Sequence, residues 1–551
     1  MRRWLVIIVV LAACGPAWKD TPHDQLFQYE QRRGLMRRPT ERSPSNWGDH
    51  VHKLFVRPLG RMISPGTYVK VAFGGRPARD VTHLGQVPDS SWFENRIGRR
   101  AYSVAEAFGG AAAGSGLASG PLTVISGKIE GVSAGFVVRD RAGDTWFLKL
   151  DHPAFPELST SAEVISSRLL WLAGYRVPAM LITDVERTRF ELDPKARAKD
   201  RYGRSILLTP AAFARLLANT NPDKDGKIRV LISKKPPGEV LGPFSYSGLR
   251  GEDVNDTIEH EHRRSLRGLW LFSAWINNTD TREANTLDMF RPIAPDGRGI
   301  IEHYLIDFGD AFGSSGLGEK PAVSGFQYLI DWTSILGNLF SFGLRYPEHG
   351  KAKRSPVRAI GLFEAEIFEA EDWRPELPNP AFDQRTTHDV FWAASILARI
   401  QPDHVRAAVA AGHYREDAAI GAVVDVLLAR RTKLLEFAFA NHIAIDRPRT
   451  EGTVLRLDDL RALGGLTSSP VSYAVRWSRT LRTDPTLARG QVTETGGELV
   501  IDLAPALAEA RRRSGFAGDP YLTVVLTVFS RSIDVQLRVS GERLIPIAVE
   551  R

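Results

Sequence analysis

From Leu122 onward, apolar and polar positions first alternate, then recur every three to four residues, then alternate again. LTVISGK, GFVVRD and TWFLKLD read as strands, because side chains at i and i+2 share one face. Asp140-Arg141-Ala142-Gly143 between the last two is a hairpin-turn signal. TSAEVISSRLLWLAG reads as a helix, with Ser159 or Thr160 as its cap, Glu163 in its first turn and Gly174 past its end. VPAMLITDV and KIRVLIS are further strands, separated by a helical insert at AAFARLLA. From Glu259 the period becomes helical. EHRRSLRGLWLFSAWIN places Leu266, Leu269, Trp270, Ser273 and Ile276 on one face. Helical patterns return at HDVFWAASILARI, DHVRAAVAAG and DAAIGAVVDVLLARRTKLLEFAFA. Past about Pro448, YAVRW, GELVID, YLTVVLTVFS, DVQLRV and LIPIAV alternate between turn residues and predict a small all-β module.

These changes of period divide the chain. Residues 15–120 read as a tether and an N-terminal arm, with Gly109–Gly120 a small-residue linker and Trp92 and Phe93 burying the arm. Residues 121–248 are β-rich, residues 249–445 helical, and residues 446–551 β-rich again. A chain of 551 residues exceeds one hydrophobic core, so several domains are expected.

Composition changes this picture at one place. The single cysteine, Cys14, follows a basic Arg2-Arg3 pair and an apolar run too short to span a bilayer. Leu11-Ala12-Ala13-Cys14 resembles the lipobox of bacterial lipoproteins. That resemblance implies a lipoprotein signal segment over residues 1–14, removal of the leader before the cysteine, acylation of Cys14 as the new N-terminus, and a lipid anchor in the bacterial cell envelope. The non-acidic Gly15 implies the outer membrane rather than the inner one. An ordinary secretory signal with a chance cysteine is the alternative. The formal net charge of +8 comes from scattered arginines rather than a basic block. It points to a solvated surface and to no nucleic-acid partner.

The candidate chemistry lies between Gly127 and Asp310. SGKIEGVSAGF carries Gly127, Gly131 and Gly135 between two strands, where bare backbone can approach phosphate oxygens. A bulged hairpin explains the same glycines. Lys149 sits in an apolar strand, where a cation needs a partner or an edge facing water. Glu163 on the following helix is the partner expected, with Glu157 its rival. An acid interacting with the helix dipole is the plainer reading of Glu163. Asp280-Thr-Arg-Glu-Ala-Asn285 has the D-x-x-x-x-N spacing of kinase catalytic loops, and a capping turn would have it too. Asp307-Phe308-Gly309 follows an apolar run and places a hard oxygen ligand at its end, as a turn after any strand also could. His260-Glu261-His262 lacks the i, i+4 histidine pair of a zinc helix and reads as a helix start.

The order of these parts matches the parts list of phosphoryl transfer. The stretch from about Gly127 to Gly316 resembles the protein-kinase-like superfamily in its divergent HipA-type and CotH-type branches. More narrowly, QVPDSSWFENRI, GKIEGVSAGFVVRD, HEHRRSLRG, NNTDTREANTLD and HYLIDFGDAFGS are similar to a family of uncharacterised kinase-like bacterial lipoproteins. The resemblance implies an α+β, two-lobed kinase-like fold with a β-rich N-lobe and a helical C-lobe. It implies Lys149 and Glu163 as an ion pair, Asp280 as the catalytic aspartate, and Asn285 and Asp307 as ligands of Mg²⁺ or Mn²⁺. It implies ATP as cofactor, with phosphoryl or nucleotidyl transfer to an unknown protein or small-molecule acceptor. Asn278 departs from the pattern, which has His two positions before the catalytic Asp. Asp310 adds a carboxylate beside the Asp-Phe-Gly triplet. The alternative is a catalytically silent pseudokinase-type lipoprotein that binds a partner or acts as an envelope scaffold.

Overall fold

The computed structural model describes residues 34–42, 75–128, 135–199, 204–218, 220, 222–316, 318–331, 348–477, 486–513 and 520–551. Cys14 and Gly131 lie outside them. The described chain is mixed α/β.

The first layer is a seven-stranded sheet of order β4-β7-β3-β2-β1-β5-β6. Its strands are β1 (Leu122–Lys128), β2 (Gly135–Arg139), β3 (Thr145–Lys149), β4 (Met180–Glu186), β5 (Phe190–Lys199), β6 (Ser205–Leu207) and β7 (Lys227–Lys234). Strand alternation sends Trp146 and Leu148 of β3 to one face, into a core with Val124, Phe136, Val138 and Ile232. Lys149 has the opposite parity. It is paired with Leu231, which packs in the helical core behind the other face. The Asp140 turn forms as expected, with the Asp140 carboxylate accepting from the amides of Ala142 and Asp144. The pattern FELDPKARAK is not legible as a strand, with its Pro and charges. It nevertheless adds to the sheet, parallel to β1.

Before the sheet, α1 (Val104–Gly109) starts at a capping box between Ser103 and Glu106. Gly109–Gly120 is not an open linker in its first part: Gly110 and Ala112 are buried, and a Cβ at Gly110 (φ +52) would lie 2.5 Å from Arg168 Cδ. Helix α2 (Leu158–Ala173) follows β3. Its cap differs from the expectation. Neither Ser159 nor Thr160 caps it; the Asp151 carboxylate accepts from the amides of Glu157, Ser159 and Thr160. Glu163 accordingly falls in the second turn. The insert helix α3 (Pro210–Ala218) covers the outer core through Phe213 and Leu216.

The helical layer holds α4 (Arg264–Ile276), α5 (Thr387–Leu397), α6 (Pro402–Ala410) and α7 (Asp417–Phe439). Helix α4 is buried on every side, not on one face. Its first turn is capped by Asp80 of the arm, which accepts from the Ser265 hydroxyl at 3.0 Å. Arg264 and Arg267 both reach Asp389 of α5, at 3.0 and 3.2 Å. Three strands, β8 (Glu239–Gly242), β9 (Thr286–Pro292) and β10 (Gly299–Leu305), form a small sheet beside it. The pair β11 (Ser314–Ser315) and β12 (Gly318–Glu319) closes the segment after Asp310.

The C-terminal part has its own core around Leu455, Val475, Leu499, Val524 and Leu537. It is built from the sheets β13-β14-β18-β17 and β16-β15-β19-β20-β21, with β13 (Ile445–Glu451), β14 (Val454–Asp459), β15 (Ser472–Trp477), β16 (Thr486–Gln491), β17 (Thr493–Thr495), β18 (Glu498–Asp502), β19 (Tyr521–Val528), β20 (Arg531–Ser540) and β21 (Arg543–Glu550). It is not all-β: α8 (Ala504–Arg511) buries Ala506, Leu507 and Ala510 in the same core.

Candidate functional site

Strand β1 ends at Lys128 and β2 begins at Gly135. Gly127 and Gly135 are not loop residues; they belong to the β1–β2 ladder. Gly135 lies opposite Lys149 on β3, and a Cβ there would stand 2.5 Å from the Leu148 carbonyl oxygen. Only glycine lets β2 run this close beside Lys149.

Lys149 Nζ donates to both oxygens of Glu163, at 3.0 and 2.8 Å, and to Asp307 Oδ1 at 2.7 Å. Glu157, the rival, pairs instead with Arg415 at 3.2 Å. The Glu163 side chain is 2% exposed, that of Lys149 30% and that of Asp307 53%. The triad therefore runs from buried carboxylate to open carboxylate through one ammonium. Burial opposes the Lys149 charge, but Glu163 and Asp307 together hold its pKa above the usual lysine value. Burial pushes the Glu163 carboxyl up, to about 7, against the pull of Lys149.

A hairpin brings the other residues to this point. Asn285 precedes β9 and Asp307 follows β10. The antiparallel register sets Thr286 against Leu305, so the two ends meet, and the Ile306 amide donates to the Asn285 carbonyl at 3.1 Å. The Asn285 side-chain amide donates to the Asp280 carbonyl at 2.8 Å. Asp280 is reached from the C-terminus of α4, where Asn277 in the left-handed region ends the helix. Asp307 also has positive φ, +61°, a conformation that Asp tolerates better than most residues. Phe308 is buried in the helical core, and Gly309 leaves no room for a side chain: a Cβ would lie 2.5 Å from Ser159 Oγ.

The Asp280 side chain is 10% exposed and meets Arg282 at 2.9 Å. Burial pushes its carboxyl up to about 6; Arg282 opposes this, while Asp310 and Glu376 add to it. Burial also raises Asp310, against the pull of Lys320 at 3.4 Å. Lys320 and Glu376, which carry no sequence signal, complete the site. Buried Lys320 donates to Thr279 Oγ1 at 2.6 Å and to Glu376 at 2.5 Å, fixing the residue next to Asp280. The Asn278 side-chain oxygen is buried and accepts no hydrogen bond among the described residues.

Among the described residues no group of three or more His, Cys, Asp or Glu side chains could by itself hold a metal ion. Asp307 and Asn285 offer hard oxygens, with Asp310 beside them. That donor set fits a Mg²⁺ that keeps waters and shares phosphate oxygens, and it does not fit an all-protein cage. His260 and His262 are held apart, His260 by Asp256 at 2.7 Å and His262 by Arg267 at 2.8 Å.

The Lys149–Glu163 pair has a measurable consequence. Lys149→Met leaves a buried carboxylate with no cation, which should destabilise by about 2–3 kcal/mol at pH 8. A raised carboxyl pKa means that the folded state holds a proton the unfolded state has released. In the wild type this stability is lost as pH rises through about 7; without the pull of Lys149 the Glu163 carboxyl is pushed higher still, so the two proteins part at high pH and the deficit of Lys149→Met should shrink by pH 5.5. Lys149→Met/Glu163→Gln should recover most of the loss. Urea unfolding at the two pH values checks this; equal deficits at both would contradict it.

No family model and no curated protein is similar to the chain. Among solved structures it is similar to one described as "Crystal structure of the golgi casein kinase", at 12% identity, over 73% of this chain and 96% of that one, with a TM-score of 0.27. A superposition this loose decides nothing about chemistry.

Proposed function

We propose that the chain is a kinase-like phosphotransferase with a two-lobed arrangement, the seven-stranded sheet and α2 over the helical layer. It uses ATP with Mg²⁺ or Mn²⁺ and modifies an acceptor hydroxyl, by phosphoryl or nucleotidyl transfer. One observation carries this reading. Lys149 contacts both a buried glutamate and Asp307, while the β9–β10 hairpin joins Asp307 to the Asp280–Asn285 loop. Bound nucleotide with its metal supplies the transferable group. Lys149 holds phosphate oxygens and Glu163 holds Lys149. Asp307 and Asn285 offer oxygens to the cation, and Gly127, Gly131 and Gly135 keep backbone near the phosphates. Asp280, with its raised pKa, takes the acceptor's proton. The protein is anchored through Cys14 to the envelope membrane. No helix among the described residues is long and apolar enough to cross a bilayer.

Asp307 and Asp280 should fail in different ways. Asp307→Ala should weaken metal-dependent nucleotide binding at least tenfold, because it removes a carboxylate from the cation. Asp280→Ala should spare binding and lower turnover by a factor of about 10² or more, since its contribution arises in the transition state. Calorimetric titration with ATP and Mg²⁺ or Mn²⁺, and transfer of labelled phosphate or nucleotide, separate the two. Unimpaired affinity in Asp307→Ala would remove the metal assignment. Wild-type protein that binds nucleotide without any transfer would leave the pseudokinase reading, with Asn278 as its first departure.

A further inference from the structure

A second cavity, of about 520 Å³, lies where the N-terminal arm, the helical layer and the C-terminal part meet. Its size is that of a small-molecule site, and junctions of this kind are where such sites occur. Its charged wall is Arg399 just after α5, Arg447 and Arg449 within β13, and Asp458 on β14. Asp458 is bonded by Arg399 and by Arg449, the latter at 2.7 Å, and Arg447 lies 4.0 Å away. Three guanidiniums thus gather around one carboxylate.

The neighbouring acids are spent elsewhere. Glu498 is shared by Arg449 and Arg456, which brings its own charge. Asp446 is held by Arg551 at 2.7 Å and Gln86 at 3.0 Å. At the mouth, Arg100 pairs with Glu106 at 2.6 Å and Arg99 faces Asp89 at 3.6 Å. Arg456 also meets Glu451 at 3.4 Å, so Arg399, Arg447, Arg449 and Arg456 outnumber Asp458, Glu498 and Glu451 by one positive charge. Burial, then the nearby Arg399, lowers the Arg447 pKa to about 9.

The backbone brings Arg447 to this place. The β13–β14 register shifts between Asp446 and Arg449, and Arg447 adopts φ +53°. A bulge of this kind re-aims a side chain that regular pairing would send elsewhere. Leu84, Ile97, Pro448 and Leu463 give the cavity an apolar wall, with Gln86, Gln401 and His404 also lining it.

We propose that this cavity binds a phosphate monoester whose dianionic head meets Arg399, Arg447 and Arg449 and whose organic part lies on the apolar wall. An anion offsets the excess charge, and guanidinium forks match phosphate oxygens in bidentate fashion. The occupant touches all three parts of the chain and fastens the C-terminal part to the arm and the helical layer. The site is separate from the Lys149 cleft and independent of its chemistry.

The test titrates the full chain with dioctanoyl phosphatidate, with glycerol 3-phosphate and with inorganic phosphate, by calorimetry and thermal unfolding. Arg447→Asn keeps a residue suited to positive φ and removes the charge. Ala101→Trp fills the mouth and keeps every charge. Binding of an ester should raise the melting midpoint, fall at least tenfold in Arg447→Asn, and persist in Asp307→Ala. Phosphatidate binding lost in Ala101→Trp identifies a lipid occupant, and tighter glycerol 3-phosphate binding a soluble one. Binding of inorganic phosphate alone, binding unchanged in Arg447→Asn, or no binding of any probe overturns the proposal.

Discussion

Asp280→Asn should make the protein more stable while abolishing transfer. The carboxyl of Asp280 is pushed up to about 6 from an ordinary value near 3.8, first by burial. The folded state therefore holds a proton that the unfolded state has already released between those values. Stability falls as pH rises through this window and stays lower at neutral pH. A shift of this size corresponds to as much as ~3 kcal/mol. The neutral amide removes that penalty, and Arg282, nearly half exposed, can turn to solvent. The melting midpoint at pH 7.5 should rise by about 5 °C, with little change at pH 4. Turnover, where wild-type protein shows it, should fall off below about pH 6 as Asp280 takes its proton. A midpoint that does not rise at pH 7.5 would show that the site carries no stored cost. A destabilising carboxylate kept in a cleft is the pattern of a functional group, since packing gains nothing from it.

What the sequence showed of this site depended on short-range chemistry. Asp307-Phe308-Gly309 and the Asp280–Asn285 spacing are local, so they are legible, and so is the alternation that puts Lys149 in a strand; that the strand ends at Lys149 is not. The glycines were legible as glycines but not as ladder members, because their role depends on how near β3 runs to β2. The helix cap at α2 was misassigned for a related reason. Ser159 and Thr160 have the right side chains, but Asp151, seven positions before the helix, folds back and takes the amides. Ser159 is thereby released to donate to the Gly309 carbonyl at 3.2 Å. Lys320 and Glu376 meet only through the fold, being 56 positions apart, and no periodicity announces such a pair. Likewise β5 gains its place from pairing with β1, which overrides a composition poor in strand formers.

The arm shows the same dependence, and its Trp92 should be among the most costly residues to remove. The indole ring stacks on His303 with centroids 3.5 Å apart and meets Phe244 and His260 edge-on. Arg263 lies over it at 4.8 Å. His303 belongs to β10 and is fixed by Asp288 of β9 at 2.6 Å; Asp288 in turn meets buried Arg250 at 2.7 Å. Trp92 thus props the hairpin whose two ends carry Asn285 and Asp307. Truncating a buried aromatic of this size costs about 3–5 kcal/mol, from lost transfer energy and an unfilled cavity. Trp92→Ala should unfold at clearly lower urea, and Trp92→Phe, which keeps a stacking ring, should lose roughly half as much. The local signature is more specific than the global one. Amide exchange should accelerate across β9 and β10, while β3 and α2, which hold Lys149 and Glu163, stay protected. The same split should appear in binding. Nucleotide affinity in the presence of Mg²⁺ should fall in Trp92→Ala, because the cation's oxygens sit on the loosened hairpin. Affinity without metal should change less, because Lys149 does not depend on it. Uniformly faster exchange through both elements would mean that Trp92 supports the fold at large and not the hairpin in particular.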